Sequence, residues 1–279
     1  METGQKITQT NNRLNHNIKK RLSIQISLSG LSFCVLNSES NTIEFLDNLE
    51  FDKKQTPFEV LQNLKKVLEH DDRFSQNFEK VLIIYDNELS NIVPKAFFDE
   101  NYIADYLKFN SKILRNDYVT FDTIEINNSV NVYVPFVNIN NYIFERFGEF
   151  EYKHLSTIFI SKVLNTKNYP STPTVTINVS KNNFNIVVSK NKELLLYNNF
   201  EYETKEDFIY YILFVFEQLK LDPEEVVINF TGAINEEDDR FAITYKYVRH
   251  VHLIEPDYEY NFVENLSAKQ ANFILLNSF

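Results

Sequence analysis

One order of predicted elements occurs twice in this sequence, and that repeat constrains the fold more than any other feature. Two alternating, β-branched segments meet at Ser29 and Gly30, a third strand follows, and a helix capped by Thr56 leads to the apolar strand KVLIIY. Later, TVTINV, NFNIVVS and ELLLYNNFEY are followed by a helix capped by Thr204 and the apolar strand EVVINF. Each half therefore predicts three strands, a helix and a fourth strand, in a mixed α/β fold.

The two halves also agree in residue character. FLDNLEF at 45–51 matches LYNNFEY at 196–202 position by position, which indicates an internal duplication. The segment NTKNYPSTP is polar, contains two prolines and has no periodicity, so it predicts a linker. The predicted domains are a flexible tail at 1–20, a first lobe at 21–168 with inserted elements, and a second lobe at 169–279.

Further elements are predicted around this repeated plan. Helices are expected near 99–107, 138–147, 155–164, 236–245 and 267–276, and strands near 120–126, 130–135 and 250–254.

Charge and composition exclude some classes of function. The chain has 28 Lys and Arg against 39 Asp and Glu, a net charge of -11, and no stretch gathers the basic residues. An acidic surface repels phosphate backbones and anionic lipids, which argues against a broad nucleic-acid or membrane surface. An RNA-associated accessory factor would need a basic face formed only by folding. The 25 Phe and 16 Tyr predict an aromatic core.

Cysteine usage and hydropathy predict a cytoplasmic protein. The single Cys34 lies in an apolar run and cannot form an internal disulfide, and residues 1–20 lack the apolar segment of a secretory signal. The longest apolar run, FIYYILFVF at 208–216, is too short to cross a bilayer. Because it is apolar around nearly its whole circumference, we expect the rest of the chain or a partner, such as a second copy, to cover it.

This plan resembles that of the actin-like ATPases, whose halves are ribonuclease H-like folds. The segments LLLYNNFEYETKEDFIYYILFVFEQLKLDPE and YKYVRHV are moreover similar to an uncharacterised family from Bacteroidetes, domain of unknown function 3822. The resemblance implies tandem ribonuclease H-like lobes in an actin-like ATPase architecture. The family carries no established activity to transfer.

Both hairpins depart from the ATPase pattern at the residues that would hold a hydrated magnesium ion. In those ATPases each hairpin has a form close to Asp-x-Gly, with a carboxylate for the metal-bound water and glycines beside the phosphates. Here Gln25 and Ser27 stand at those positions in the first hairpin, Asn178 replaces the acid in the second, and Ser180 to Asn182 replace the glycines. Neither amide can carry the negative charge, which predicts that hydrolysis has been lost.

A weaker anion or nucleotide site stays open as an alternative. Lys181, with Ser180 and Asn182 beside it, could meet an anion at the second hairpin, and Gly232 stands alone where the ATPases have a glycine pair. With Gln25, Ser27 and Asn178, these residues are the candidates for a site in a cleft between the lobes.

No other motif predicts chemistry strongly. His250 and His252 share one side of a strand, but a metal site would also need Asp238 and Asp239 to fold back, so no metal or cofactor is expected. No G-x-S-x-G elbow exists, and Cys34 has no neighbouring group to activate its thiol. The sequence thus favours a non-catalytic protein-binding or scaffold module with an unknown partner. The alternatives are a divergent nucleotide-binding protein and an RNA-associated factor.

Overall fold

The structure is a computed structural model that describes residues 5–7 (backbone only), 19–108, 111–114, 116–166, 171–254, 258–263 and 271–279. It divides into two compact units. The first holds the described residues up to Ile158 together with 258–263 and 274–279, and the second holds those of 159–254 and 271–273.

The described residues form the following elements. The strands are β1 (Gln5–Ile7), β2 (Lys20–Ser27), β3 (Gly30–Asn37), β4 (Thr42–Glu50), β5 (Lys80–Asp86), β6 (Ser90–Pro94), β7 (Thr120–Ile124), β8 (Ser129–Tyr133), β9 (Phe150–His154), β10 (Thr174–Val179), β11 (Asn183–Lys190), β12 (Glu193–Glu201), β13 (Val227–Gly232), β14 (His250–Leu253) and β15 (Asn261–Phe262). The α-helices are α1 (Pro57–His70), α2 (Asp105–Lys108), α3 (Val137–Phe147), α4 (Leu155–Leu164), α5 (Lys205–Leu219), α6 (Asp239–Tyr247) and α7 (Phe273–Leu276).

The main sheet of the first unit has the order β1-β9-β5-β2-β3-β4-β15. β2 and β3 form an antiparallel hairpin, β4 continues it, and β5 pairs with β2 in parallel. Alternate residues of these strands, among them Ile24 and Ile83, enter a core with α1 and α3, and Leu64 of α1 belongs to the same core. The parallel register sets Ser27 opposite Asp86, so the carboxyl ends of β2 and β5 meet at one edge.

The sheet of the second unit has the order β12-β11-β10-β13-β14 and repeats these pairings. β10, β11 and β12 are antiparallel, β13 is parallel to β10, and β14 is parallel to β13. Its core includes Ile177, Phe184, Phe208 and Phe230. The predicted order of three strands, a helix and a fourth strand is therefore confirmed in both units.

The two long helices start in the same way. Thr56 and Thr204 each form a capping box with the residue three positions on, Glu59 and Asp207, which satisfies exposed N–H groups of the first turn. α5 ends at Leu219, and the left-handed conformation of the next residue, Lys220, stops the helix. Among the helices of the described residues, none is both long and apolar enough to cross a membrane.

The first unit contains strands that the sequence patterns did not predict. β9 lies between α3 and α4 and pairs with β5 in parallel, and β6 joins β8 and β7 in a separate three-stranded sheet. The helix expected near 99–107 is wrong in extent: a 3-10 turn at Glu100–Tyr102 precedes the short α2. Part of the closing helix expected from residue 267 lies outside the described residues. So does most of the tail, of which Gln5–Ile7 forms an edge strand on β9.

Candidate functional site

The polar groups of the first hairpin turn are satisfied by hydrogen bonds within the turn and to the residues that follow β4. The Ser27 hydroxyl donates to the carbonyl of Gly30 at 3.1 Å and accepts the backbone N–H of Ser29 at 3.2 Å. The carbonyl of Ser29 accepts the backbone N–H of Phe51 at 2.8 Å. Gly30 allows close packing, because a Cβ there would lie 2.7 Å from the carbonyl oxygen of Leu49. Ser27 therefore stabilises the turn that the sequence analysis considered for phosphate binding.

Asp86 is an acid beside this hairpin that the sequence analysis missed. It ends β5, is buried, and accepts a hydrogen bond from Gln25 Nε2 at 3.2 Å. Burial raises the pKa of Asp86 to about 6, partly offset by the Gln25 bond. A carboxylate at the carboxyl end of parallel strands, with a perturbed pKa, has the features of a functional group. Its signal in the sequence was an acid directly after the apolar strand KVLIIY.

The second hairpin is held by Arg240, at the start of α6, through all five of its N–H donors. The guanidinium donates to both carboxylate oxygens of Asp238, to the carbonyl of Ser180 at 3.2 Å, to the carbonyl of Ala233 at 2.8 Å, and to the hydroxyl of Tyr202. Tyr202 also donates to the carbonyl of Ser180. Arg240 thus joins the hairpin turn, the end of β12 and the loop after β13.

The charge pair in this cluster perturbs both pKa values in the direction expected for a stable contact. The Arg240 hydrogen bonds hold the pKa of Asp238 below its ordinary value, and the Asp238 hydrogen bonds raise the pKa of Arg240. Arg240 and Asp238 therefore stay ionised at neutral pH.

The remaining candidates of the second hairpin divide between the sheet and the turn. Asn178 is buried within β10, opposite Asn185 on β11 and Thr231 on β13. Lys181 and Asn182 are exposed in the turn. The Asn182 carbonyl accepts the backbone N–H of Tyr202 at 3.0 Å, so the turn is also fixed to the end of β12.

Gly232 is required by packing within the second unit. It has a φ of +88°, and a Cβ there would lie 2.2 Å from the carbonyl oxygen of Val179. The neighbouring Ala233 N–H donates to that same oxygen at 2.7 Å. The absence of a side chain is therefore explained by the close approach of β10.

The structure does not gather the residues considered for a metal. His250 and His252 are exposed on β14, whereas Asp238 binds Arg240 and Asp239 pairs with Lys205 Nζ at 3.1 Å. Within the described residues, no three His, Cys, Asp or Glu side chains come close enough to share a metal ion.

A buried serine and histidine lie in contact in the first unit, but their surroundings favour a structural role. Ser156 Oγ is 2.7 Å from His154 Nδ1, and His154 Nε2 donates to the carbonyl of Asn87 at 3.1 Å. Burial lowers the pKa of His154 to about 4, which makes it a weak base. Asp122 accepts the backbone N–H of His154 at 2.9 Å, the Thr157 hydroxyl at 2.7 Å and the Tyr133 hydroxyl at 3.0 Å. The ring nitrogens of His154 bind Ser156 and Asn87, so Asp122 does not orient the imidazole.

The candidate residues of the two hairpins lie in separate compact units. Gln25 and Ser27 belong to the first unit, and Asn178, Ser180 and Gly232 belong to the second.

The repeated sheet order and the two hairpins define the class: the chain has the fold of the actin-like ATPases. It belongs to the family described as Protein of unknown function (DUF3822), whose model matches residues 9–251. No curated protein is close enough in sequence to count as a relative.

Solved structures that share this fold include the following three. A Bacteroides thetaiotaomicron protein with an actin-like ATPase fold and unknown function aligns with a TM-score of 0.80 and 23% identity, covering 94% of this chain and 96% of that chain. The PilM-PilN type IV pilus biogenesis complex aligns with a TM-score of 0.59 and 10% identity, covering 92% of this chain and 96% of that chain. The ethanolamine utilization protein EutJ from Carboxydothermus hydrogenoformans aligns with a TM-score of 0.50 and 8% identity, covering 94% of this chain and 89% of that chain. At these identities the likeness shows the fold alone.

Proposed function

We propose that this protein is a non-catalytic member of the actin-like fold that has lost ATP hydrolysis and works as a protein-binding or scaffold module. The two amides at the expected acid positions support the proposal, because Gln25 and Asn178 cannot supply the charge that holds a hydrated magnesium ion. In addition, Gln25 donates its amide to Asp86, so the neighbouring carboxylate is already engaged.

The observation that carries the proposal is the Arg240 cluster at the second hairpin. A phosphate-binding turn must direct backbone N–H groups toward the ligand. Here the Ser180 carbonyl accepts from both Arg240 and Tyr202, and the Ser180 N–H donates to the carbonyl of Asn183 at 2.9 Å. These bonds fix the turn without any ligand, which favours a structural hairpin.

Related folds support a role in assembly. The PilM structure is a complex with PilN, so this fold is used in at least one protein–protein complex. We place the protein in the cytoplasm, since Cys34 is buried, free and held as a thiol by a raised pKa. Its partner is another protein that the sequence does not identify.

A nucleotide-binding assay tests the loss of ATP chemistry. ATP with magnesium at 100 times its dissociation constant would stabilise a binding protein by about 2.7 kcal/mol, a readily measured rise in Tm. We expect no rise in Tm and no phosphate release. A nucleotide-dependent rise, or steady release of phosphate, would contradict the proposal.

The second candidate is a divergent nucleotide-binding protein, and Asp86 is the observation that favours it. Asp86 lies at the carboxyl end of β5 with a pKa raised to about 6, which suits a group that binds a hydrated cation or accepts a proton. Under this candidate the ATP-dependent rise in Tm is present and Asp86→Asn abolishes it. Under the first proposal wild type and Asp86→Asn respond alike, with no rise.

A further inference from the structure

Four aromatic rings form a continuous strip on the second unit. Phe200 of β12 stacks on Tyr211 of α5 with centroids 4.7 Å apart, Tyr211 contacts Tyr210 at 5.3 Å, and Tyr210 stacks on Phe214 at 6.4 Å. Tyr210 is 60% exposed and Phe214 is 40% exposed. Single exposed apolar residues are ordinary, but a row of rings in mutual contact forms a patch of the kind found at binding surfaces. These four residues are called the aromatic strip below.

The corresponding helix of the first unit shows what the fold itself requires. Counted from the capping threonines, α1 and α5 bury residues at the same positions: the fourth, fifth, eighth and twelfth. In α1 these are Val60, Leu61, Leu64 and Leu68, and in α5 they are Phe208, Ile209, Ile212 and Phe216. Both helices therefore turn the same face toward their sheets.

The outward positions of the two helices differ in chemistry. At the positions of Tyr210 and Phe214, α1 carries Gln62 and Lys66, which are exposed polar residues. A helix in this place in the fold thus has no need of aromatic side chains on its outer face. Burial on the sheet does not explain Tyr210 and Phe214, whereas contact with another molecule does.

Charged residues on the exposed face of α5 indicate which kind of molecule would bind the aromatic strip. Glu206 lies four residues before Tyr210, Glu217 lies three residues after Phe214, and both glutamates are exposed. Arginine and lysine stack on exposed rings and pair with carboxylates, so a basic segment complements both parts of this surface.

A second copy of the chain is a poorer occupant. In an antiparallel pair of α5 helices, Glu206 of one copy would face Glu217 of the other, and each copy has a net charge of -11. Like charges at such a seam oppose association.

We propose that the aromatic strip, with Glu206 and Glu217 at its ends, is the docking site for a basic, amphipathic segment of another protein. Leucine-like side chains of that segment cover Tyr210 and Phe214, and its arginines or lysines pair with the two glutamates. This inference rests on the proposed binding function and assigns it a surface and a class of partner.

The test uses a labelled synthetic peptide of leucine and arginine, long enough to form a helix at roughly 15–18 residues, with fluorescence anisotropy as the readout. The altered protein is Tyr210→Gln with Phe214→Gln, which keeps the net charge and copies the polar character of α1. The matched control is Tyr245→Gln, at an exposed tyrosine of α6 outside the strip. Glutamine is a good helix former at exposed positions, and far-UV circular dichroism checks that each variant is folded.

We expect the double variant to bind the peptide about tenfold more weakly, or worse, because central aromatic residues dominate binding energy at such surfaces. Tyr245→Gln should bind within about twofold of wild type, since surface residues outside the contact add little. Glu206→Gln with Glu217→Gln should weaken binding and reduce its salt dependence. A peptide with glutamate in place of arginine should not bind.

Four results would overturn the inference: equal binding by wild type and the double variant, no binding of the arginine peptide, equal binding of the glutamate peptide, or a wild-type dimer that the double variant abolishes. The last would identify a second copy as the occupant. The ATP assay is independent of all four. If the peptide test fails and ATP gives no rise in Tm, only the proposed docking site is refuted, and the proposed loss of nucleotide chemistry is kept. If the peptide binds through the aromatic strip and ATP also raises the Tm, the docking site is supported and only the proposed loss of nucleotide chemistry is refuted.

Discussion

Arg240→Met removes the five N–H donors that hold the second hairpin. The substitution leaves the Asp238 carboxylate without its cation and leaves the carbonyls of Ser180 and Ala233 without this donor. Removing one partner of a fully buried ion pair typically costs about 3–5 kcal/mol, and this is the upper limit for Arg240→Met. Since the side chains of Arg240 and Asp238 are 18% and 20% exposed, water recovers part of that, and we expect a loss of about 2–4 kcal/mol.

Urea unfolding measures this loss. The chain has no Trp and 16 Tyr, so near-UV circular dichroism and tyrosine fluorescence follow the tertiary structure. For a unit of roughly 100 residues each kcal/mol lowers the Tm by about 4–8 °C, which gives a second readout. Arg240→Lys should lose less than Arg240→Met, because lysine keeps the charge but cannot reach five acceptors at once.

A matched control comes from the neighbouring ion pair of Lys205 and Asp239, whose side chains are far more exposed. Lys205→Met should leave the unfolding curve unchanged within error, because solvent screens such a pair. The double variant Asp238→Asn with Arg240→Met should be less destabilised than the sum of the single changes, since the two residues act on each other. If Arg240→Met unfolds at the wild-type urea concentration, the guanidinium does not hold the hairpin and the reasoning is refuted.

Three further changes probe other parts of the structure. The pKa of Asp86 rises from 3.8 to about 6 on folding, so the folded protein loses stability as pH increases from about 4 to 6 and this carboxyl group ionises. Asp86→Asn should therefore raise the free energy of unfolding by up to about 3 kcal/mol at pH 7 and by nothing below pH 4. Equal urea midpoints of wild type and variant at pH 7 would contradict this. Gly232→Ala should destabilise by more than about 3 kcal/mol in thermal unfolding, because its Cβ would overlap a backbone oxygen. Gly148→Ala, with a positive φ but open space, should cost about 1–3 kcal/mol, and equal losses would exclude the steric explanation. Thr56→Ala and Thr204→Ala should each cost about 1 kcal/mol in urea unfolding, and the absence of any loss would show that the capping boxes contribute nothing.

Local patterns predicted much of the fold because the elements concerned carry their own signals. Capping threonines, alternation in the hairpins and continuous apolar strands each specify structure within a few residues. β9 was missed although FEYKH alternates, because only short connections join it to α3 and α4, both of which were predicted. The pairing of β9 with β5, which makes it part of the sheet, depends on a distant segment of the chain.

The candidate site was less predictable because its contacts span the sequence. Arg240 is 60 residues from Ser180 and 38 from Tyr202 in the sequence, so no local motif predicts that these residues bind one another. Asp86 had a usable signal, an acid at the end of a strand parallel to β2, but the acids expected for magnesium binding were those within the hairpins themselves. For α5, the sequence showed that apolar residues surround the helix, but only the structure separates the buried face from Tyr210 and Phe214.

The pairing of β15 with β4 has a consequence for the order of synthesis. The first unit needs residues 258–263 at the edge of its sheet, and Leu275 and Leu276 pack with Cys34 and Ile43 in a small core. Domains usually fold as they leave the ribosome, with the earlier one finished first. Here the half that is translated first stays incomplete until the ribosome has passed residue 276, so its edge strand and small core can form only at the end of translation.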